Sequence, residues 1–278
     1  MYSFGYVGVI GKTNAGKSSL VNALVGQKVA IVTNRPQTTR DNILGVLNGE
    51  NYQVVLVDTP GVHRSKNKLD KKMMKNVRSA ISGVDLILYL ADGTKPLDEE
   101  EEEYYAHLPQ PKVLVKTKID KKGLKNFDAD FEISSLNGTG LEDLKNYIID
   151  KMPKSETKNF PFEEDDYTDK SLRFIVAEEI RQNALNILED EIPHGIAVEI
   201  ERFEEKENLT IIEAVLVVEQ ERHKGIVIGK GGKTLKIIGQ KAREFAEELL
   251  GNKVLLKIFV KVDKDWRNSD NSLKKFGY

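Results

Sequence analysis

Cysteine is absent from all 278 residues, which excludes disulfides and thiolate metal sites. A reducing cytosol is the natural compartment for such a chain. No apolar run approaches the roughly 18 residues that a membrane span needs. A strand-like apolar run begins at Phe4, so no signal peptide is expected. Tryptophan occurs once, and a lone Trp266 reads as packing rather than as a base-stacking residue. Charged residues, by contrast, make up 31% of the chain beside 40% hydrophobic ones, the balance of a globular protein long enough for two modest cores.

The net charge of −2 hides an asymmetry. Residues 170–221 hold 5 Lys and Arg against 13 Asp and Glu, a net of −8; residues 222–278 hold 14 against 6, a net of +8. Either the second stretch offers a basic face to a polyanion, or both are solvated faces without a partner.

Gly11-Lys12-Thr13-Asn14-Ala15-Gly16-Lys17-Ser18 lies between an apolar run ending at Ile10 and a helical pattern from Ser19 to Val25. Strand, glycine-rich turn and helix are the context of a phosphate loop, whose N–H groups and helix N-terminus face a polyphosphate. Lys17 is expected to reach the β- and γ-phosphates and Ser18 to ligate Mg²⁺. Residues 27–41 follow as a polar loop. Two β-rich runs, 42–47 and 52–57, flank Asn48-Gly49, a hairpin signal that makes one sheet edge antiparallel. The second run delivers Asp58-Thr59-Pro60-Gly61 at its carboxyl end, where Asp58 can hold Mg²⁺ through water and the Gly61 N–H can meet a γ-phosphate. A basic amphipathic helix is expected over 69–82, a central strand over 84–91, and a helix opened by the acidic run 98–103, read as a solvated first turn.

Val113-Leu114-Val115 forms another buried strand, leading into Lys116-Thr117-Lys118-Ile119-Asp120. Guanine presents N1–H and an amino group as adjacent donors that one carboxylate accepts together, so Asp120 selects guanine over adenine. Lys118 can lie along the base and tie it to the phosphate loop, and 131–136 can close over it.

In order and spacing these pieces, over about 150 residues, resemble the Ras-like, translation-factor-related GTPases and, more narrowly, the Era GTPases. The resemblance implies a Ras-like P-loop GTPase domain, an α/β fold whose mixed, mostly parallel sheet has helices on both faces. It implies binding of GTP or GDP with Mg²⁺ and slow hydrolysis. Nucleotide contacts then fall on Gly11, Lys12, Thr13, Asn14, Ala15, Gly16, Lys17, Ser18 and Ser19, on Asp58, Thr59, Pro60, Gly61 and Val62, and on Thr117, Lys118, Asp120, Ser134, Ser135 and Leu136. Metal ligation falls on Ser18, Asp58 and either Thr38 or Thr39; hydrolysis falls on Lys17, Gly61 and the same two threonines.

Two residues depart from the family pattern. Thr117 stands where the family has Asn, which weakens guanine affinity while leaving the Asp120 selectivity. Ser135 replaces an Ala that acts through its backbone N–H, with little loss expected. Val62 occupies the place where Ras has a water-orienting Gln, so intrinsic turnover is expected to be slow. Asn14 resembles the residue that binds K⁺ in relatives with an apolar residue at that place, and K⁺ would then add positive charge at the phosphates.

Residues 154–170 read as a linker between a first domain, 1–153, and a second, 171–278. A helix is expected over 171–188, strands over 196–204 and 209–219, and a third strand over 254–262. Between them, Gly225 to Gly239 carries Gly229-Lys230-Gly231-Gly232 flanked by lysines, which resembles the Gly-x-x-Gly loop of KH domains. The element order is that of an α+β, type II KH domain. RNA contacts are expected at Arg222, Lys224, Ile226, Ile228, Gly229, Lys230, Gly231, Gly232, Lys233 and Lys236, with bases over an apolar groove including Ile228 and Ile238.

The Era resemblance further implies a partner, the 3′ end of 16S ribosomal RNA in the maturing 30S subunit. It also implies a monomer in the cytoplasm and a peripheral contact with the inner face of the membrane. Nucleotide state is expected to switch RNA affinity. Two rivals remain: a protein whose sole activity is RNA binding, with Thr117 and Val62 marking a decayed nucleotide site, which labelled-GTP binding separates from the enzyme, and a tandem-domain assembly GTPase, against which one phosphate loop and the chain length both count.

Overall fold

The computed structural model describes residues 1–189 and 192–278. The chain divides into two compact units, the first comprising residues 1–32, 36–65 and 72–169, the second 33–35, 66–71 and 170–278. Among the described residues no helix is long and apolar enough to cross a membrane.

The first unit is a mixed sheet covered by helices. Its strands are β1 (Tyr2–Gly11), β2 (Ile43–Gly49), β3 (Tyr52–Asp58), β4 (Leu86–Asp92), β5 (Lys112–Thr117), β6 (Phe131–Glu132) and β7 (Lys154–Ser155). Its helices are α1 (Lys17–Val25), α2 (Lys68–Ile81), α3 (Glu99–His107) and α4 (Leu141–Lys151). Strand order is β2-β3-β1-β4-β5-β6; only β2, on β3, and β7, on β1, pair antiparallel. Six of the seven β4 residues are buried, which is why its sequence is apolar without alternation. The phosphate loop, Asp58 and Thr117 all follow or close parallel strands at their carboxyl ends, on one rim of the sheet. The acidic run opens α3 as expected, with Asp98 as its N-cap accepting from the Glu101 N–H.

Two expectations are corrected. The hairpin turns at Glu50-Asn51, with Asn48 and Gly49 still paired to Gln53 and Tyr52. Asn48 is engaged elsewhere: its carboxamide accepts from Gln53 at 2.7 Å and donates to the carbonyls of Glu164 and Asp166. The 154–169 stretch is not a tether but is built onto the first sheet. Gln53 exchanges side-chain bonds with the Phe162 backbone, Tyr167 O accepts from Val46 N, and Thr168 bridges Gly45.

The second unit contains α5 (Leu172–Ile187), β8 (Ala197–Lys206), β9 (Leu209–Val218), α6 (Glu221–Ile228), α7 (Lys233–Leu250), β10 (Lys253–Val262) and α8 (Asp270–Lys275). Its sheet runs β10-β9-β8, with β9 and β10 parallel and β8 antiparallel to β9. One core joins α5 and α7 to the sheet through Val176, Ile180, Ala184, Ile212, Ala214 and Ala242. Trp266 is fully buried there, donates its indole N–H to Gly195 O at 2.9 Å and stacks on Tyr278, so it is packing as read.

Candidate functional site

Four segments converge on the rim of the first sheet. The buried Lys17 ammonium donates to Gly11 O at 3.0 Å and Lys12 O at 2.8 Å, so it lies within the curl of the phosphate loop. Burial lowers its pKa to about 8, against the opposing pull of Asp58. The Ser18 hydroxyl donates to Asp58 Oδ2 at 2.6 Å and lies 2.9 Å from the Thr39 hydroxyl. Of the two candidate threonines, Thr39 is the one whose hydroxyl is seen in this cluster. Asp58 is wholly enclosed, which raises its pKa to about 6 despite hydrogen bonds from Ser18 and Thr39 and the charge of Lys17. Its second oxygen, Oδ1, is buried with no hydrogen-bond partner. Three oxygen ligands in contact, one a carboxylate with an orphaned oxygen, are a donor set suited to a hard divalent cation such as Mg²⁺.

The D-x-x-G turn is fixed over the loop. Thr59 Oγ1 donates to Val9 O at 2.8 Å and Val62 N to Gly11 O at 3.1 Å. A Cβ on Gly61 would lie 2.7 Å from the Thr13 backbone nitrogen, so only glycine lets the turn approach this closely. His63, to which the sequence assigned no role, donates through Nδ1 to Gly61 O at 2.6 Å and so holds the residue whose N–H is expected to meet a γ-phosphate. Only its place beside Val62 could have signalled it.

At the base end, Thr117 Oγ1 donates to Ala15 O at 2.8 Å and Ala91 O at 3.1 Å. Lys118, at φ 60°, sends its ammonium to Asn14 O and to Asp92 Oδ2 at 2.6 Å. Burial would raise the Asp92 carboxyl, but the bonds from Lys118 and Thr94 outweigh it and hold the pKa below the usual range. Asp92 was not singled out from the sequence; it lies at the end of β4, one strand away. Asp120 accepts from the Ser134 hydroxyl at 2.6 Å, and Ser134 in turn accepts from the N–H groups of Leu136 and Asn137. Thr117 and Lys118 are thus tied to the phosphate loop, while Asp120 and Ser134 are bonded to each other. The Lys12 ammonium pairs with Asp98, the N-cap of α3, and with Glu101 in its first turn.

In the second unit, α6 and α7 are joined through the turn 229–232. Gly229 has φ 73°, and a Cβ there would strike the Thr234 hydroxyl at 2.2 Å. Lys230, Lys233 and Lys236 are exposed around it. Beside the turn runs an open groove of about 380 Å³ between α7 and β10, with Leu235, Leu256 and Ile258 as apolar lining and Lys236, Gln240 and Arg243 as polar lining. Ile238 does not line it: that side chain is fully buried in the core. The missed Gln240 and Arg243 follow Lys236 at helical intervals of four and seven, a signal present in the sequence.

The comparisons with known proteins divide the chain the same way. Residues 6–118 match a family described as 50S ribosome-binding GTPase, and residues 191–267 match the KH domain. GTPase Era of Caldanaerobacter subterraneus is 40% identical across 100% of this chain and 98% of its own length. GTPase Era of Alkaliphilus metalliredigens is 41% identical across 100% and 99%. A crystal structure of Era with MgGDPNP and nucleotides 1506–1542 of 16S ribosomal RNA superposes with a TM-score of 0.92 at 34% identity, covering 100% of this chain and 99% of that one. An Aquifex aeolicus Era variant bound to GDP·AlF4⁻ gives 0.91 at 34%, covering 99% of each.

Proposed function

The chain belongs to the Era GTPases, hydrolysing GTP to GDP and phosphate, and from that premise we propose that it couples this reaction to binding the 3′ end of 16S ribosomal RNA during assembly of the 30S subunit in the cytoplasm. Residues 1–153 with the attached 154–169 stretch serve as the GTPase module, and 171–278 as the RNA-binding KH module.

The observation that carries this reading is the stitching of Lys118 and Thr117 to the phosphate loop through Asn14 and Ala15, with Asp120, two residues on, held by Ser134. A guanine base and a triphosphate then fit one continuous wall. Ser18, Thr39 and Asp58 would hold Mg²⁺, which supplies positive charge at the phosphates when bound. Lys17 exchanges its two carbonyl acceptors for phosphate oxygens, and Gly61, steadied by His63, offers its N–H to the γ-phosphate. Val62 cannot hold a water, so hydrolysis rests on positioning and charge rather than on a side chain that orients the nucleophile. Against a decayed nucleotide site stands this complete, interlocked set of polar groups.

Asp120→Asn is the test. It turns the acceptor pair into one acceptor and one donor, so guanine loses affinity by about a hundredfold while xanthine nucleotides gain, since two charge-assisted bonds are at stake. Unchanged GDP affinity in a fluorescence titration would remove the base from this pocket. RNA affinity that is the same with GTP analogue, GDP and no nucleotide would remove the coupling.

A further inference from the structure

Thr117 closes β5 with its side chain only 2% exposed. A hydroxyl carries one hydrogen, and two carbonyls already share that of Thr117, Ala15 O in the phosphate loop and Ala91 O at the end of β4. Both are buried backbone acceptors that cost free energy if left unbonded. The hydrogen is therefore committed inside the protein, and Thr117 has no donor left for a ligand. Of its neighbours, the Ser134 hydroxyl is committed to Asp120, and two of the three Lys118 ammonium hydrogens go to Asn14 O and Asp92.

Guanine turned with its N1–H and amino group toward Asp120 carries two acceptors, O6 and N7, on its other edge. In the 134–136 loop the Ser134 N–H bonds Thr139 O and the Leu136 N–H bonds the Ser134 hydroxyl, which leaves the Ser135 N–H for O6. N7 would need a side-chain donor from the end of β5, where Thr117 stands in place of an amide. We propose that Thr117 is a positioning residue for the phosphate loop and not a base contact, so that this chain recognises guanine through N1, N2 and O6 while leaving N7 unread. The inference rests on the guanine pocket assigned above. It extends the ligand class to guanine nucleotides altered at position 7: replacing N7 by C–H removes an acceptor that the protein does not satisfy. A carboxamide at 117 would change this, because one of its two donor hydrogens can keep Ala15 O while the other reaches N7.

Calorimetric titration of the full chain with GDP and with 7-deaza-GDP, in Mg²⁺ buffer, tests it. The unaltered protein is expected to bind 7-deaza-GDP at least as tightly as GDP. Thr117→Asn should prefer GDP by about three- to tenfold, the worth of one hydrogen bond, and Thr117→Ser should keep parity. Thr117→Val, which removes the hydroxyl bond shared by the two carbonyls, should weaken the two ligands equally, the signature of positioning rather than contact. A preference of about fivefold or more for GDP in the unaltered protein overturns the proposal, as does a Thr117→Asn protein that gains none. Failure to bind either nucleotide would instead overturn the guanine pocket on which the proposal rests.

Discussion

Lys17, Asp58 and Thr117 are all less than a tenth exposed, whereas Lys233, Lys236, Gln240 and Arg243 stand in solvent. The first site works by enclosure: its polar groups are bonded to one another, and Asp58 Oδ1, buried without a hydrogen-bond partner, marks where a cation fits. The second works by display, with lysines and an arginine ranged along an open groove whose floor is apolar. Removing one group from an enclosed site orphans others, while removing one from a displayed site subtracts a single contact. Lys17→Ala should therefore have the largest effect of any single change. Loss of a buried cation facing a triphosphate is expected to weaken GDP and GTP by about a thousandfold, several charge-assisted bonds together, and to leave RNA affinity without nucleotide unchanged. Fluorescent-nucleotide titration and RNA filter binding on the same preparation measure both. A matching loss of RNA affinity would erase the contrast between the two sites.

Enclosure also governs how much of each site can be read from the sequence. In the nucleotide site the residues must recur at fixed spacings because the strands that carry them have fixed positions, so Gly11 to Ser18, Asp58 and Asp120 each carry a pattern that can be read. Thr38 and Thr39 were not separable by spacing, since both lie in a loop without a period; only the folded loop brings Thr39 to Ser18. His63 escaped because its role is a bond to a backbone carbonyl, which carries no motif. In the groove only the glycine turn has a motif. The wall is set by helical periodicity, and Ile238 was misplaced because one step along α7 separates the core face from the groove face. The fold was legible wherever the pattern was strong, as in the unbroken apolar run of β4 and the helical period of α5. It was misread where a remote segment intervened, as when 163–166 takes up Asn48 and the turn moves on to Glu50-Asn51.

Arg243→Ala sharpens the comparison from the open side. If the groove binds by display, the change costs RNA about tenfold in affinity and lowers the slope of log K against log salt by about 1, with GDP binding unaffected. A salt slope that stays the same would take Arg243 out of the phosphate track and leave the lysines of the 229–236 turn to account for binding.

The smallest effect is a pH dependence that belongs to the enclosed site alone. Burial lifts the Asp58 carboxyl to about 6, so the folded, metal-free protein holds a proton there that the unfolded chain, at an ordinary 3.8, has released. That contribution stabilises the fold in acid and is lost as pH rises from the ordinary value through about 6. Lys17 works in the opposite window: lowered from 10.5 to about 8, it makes stability rise with pH between those values. At neutral pH both groups are charged and both resist burial, which favours a bound cation at Asp58 and a bound anion at Lys17. Because Mg²⁺ must displace the Asp58 proton, its affinity should be about fourfold weaker at pH 5.5 than at pH 7, a ratio set by the ionised fractions for a group titrating at about 6. Magnesium titrations of the GDP complex at the two pH values measure the ratio. In metal-free melts, Asp58→Asn should remove the Asp58 contribution to the slope between pH 4 and 6. RNA binding without nucleotide should lack any dependence traceable to Asp58, because no group of the groove shares that enclosure. A Mg²⁺ affinity flat across this range would mean that Asp58 is already ionised by surroundings more polar than its burial implies, and the contrast between an enclosed and a displayed site would lose its electrostatic half.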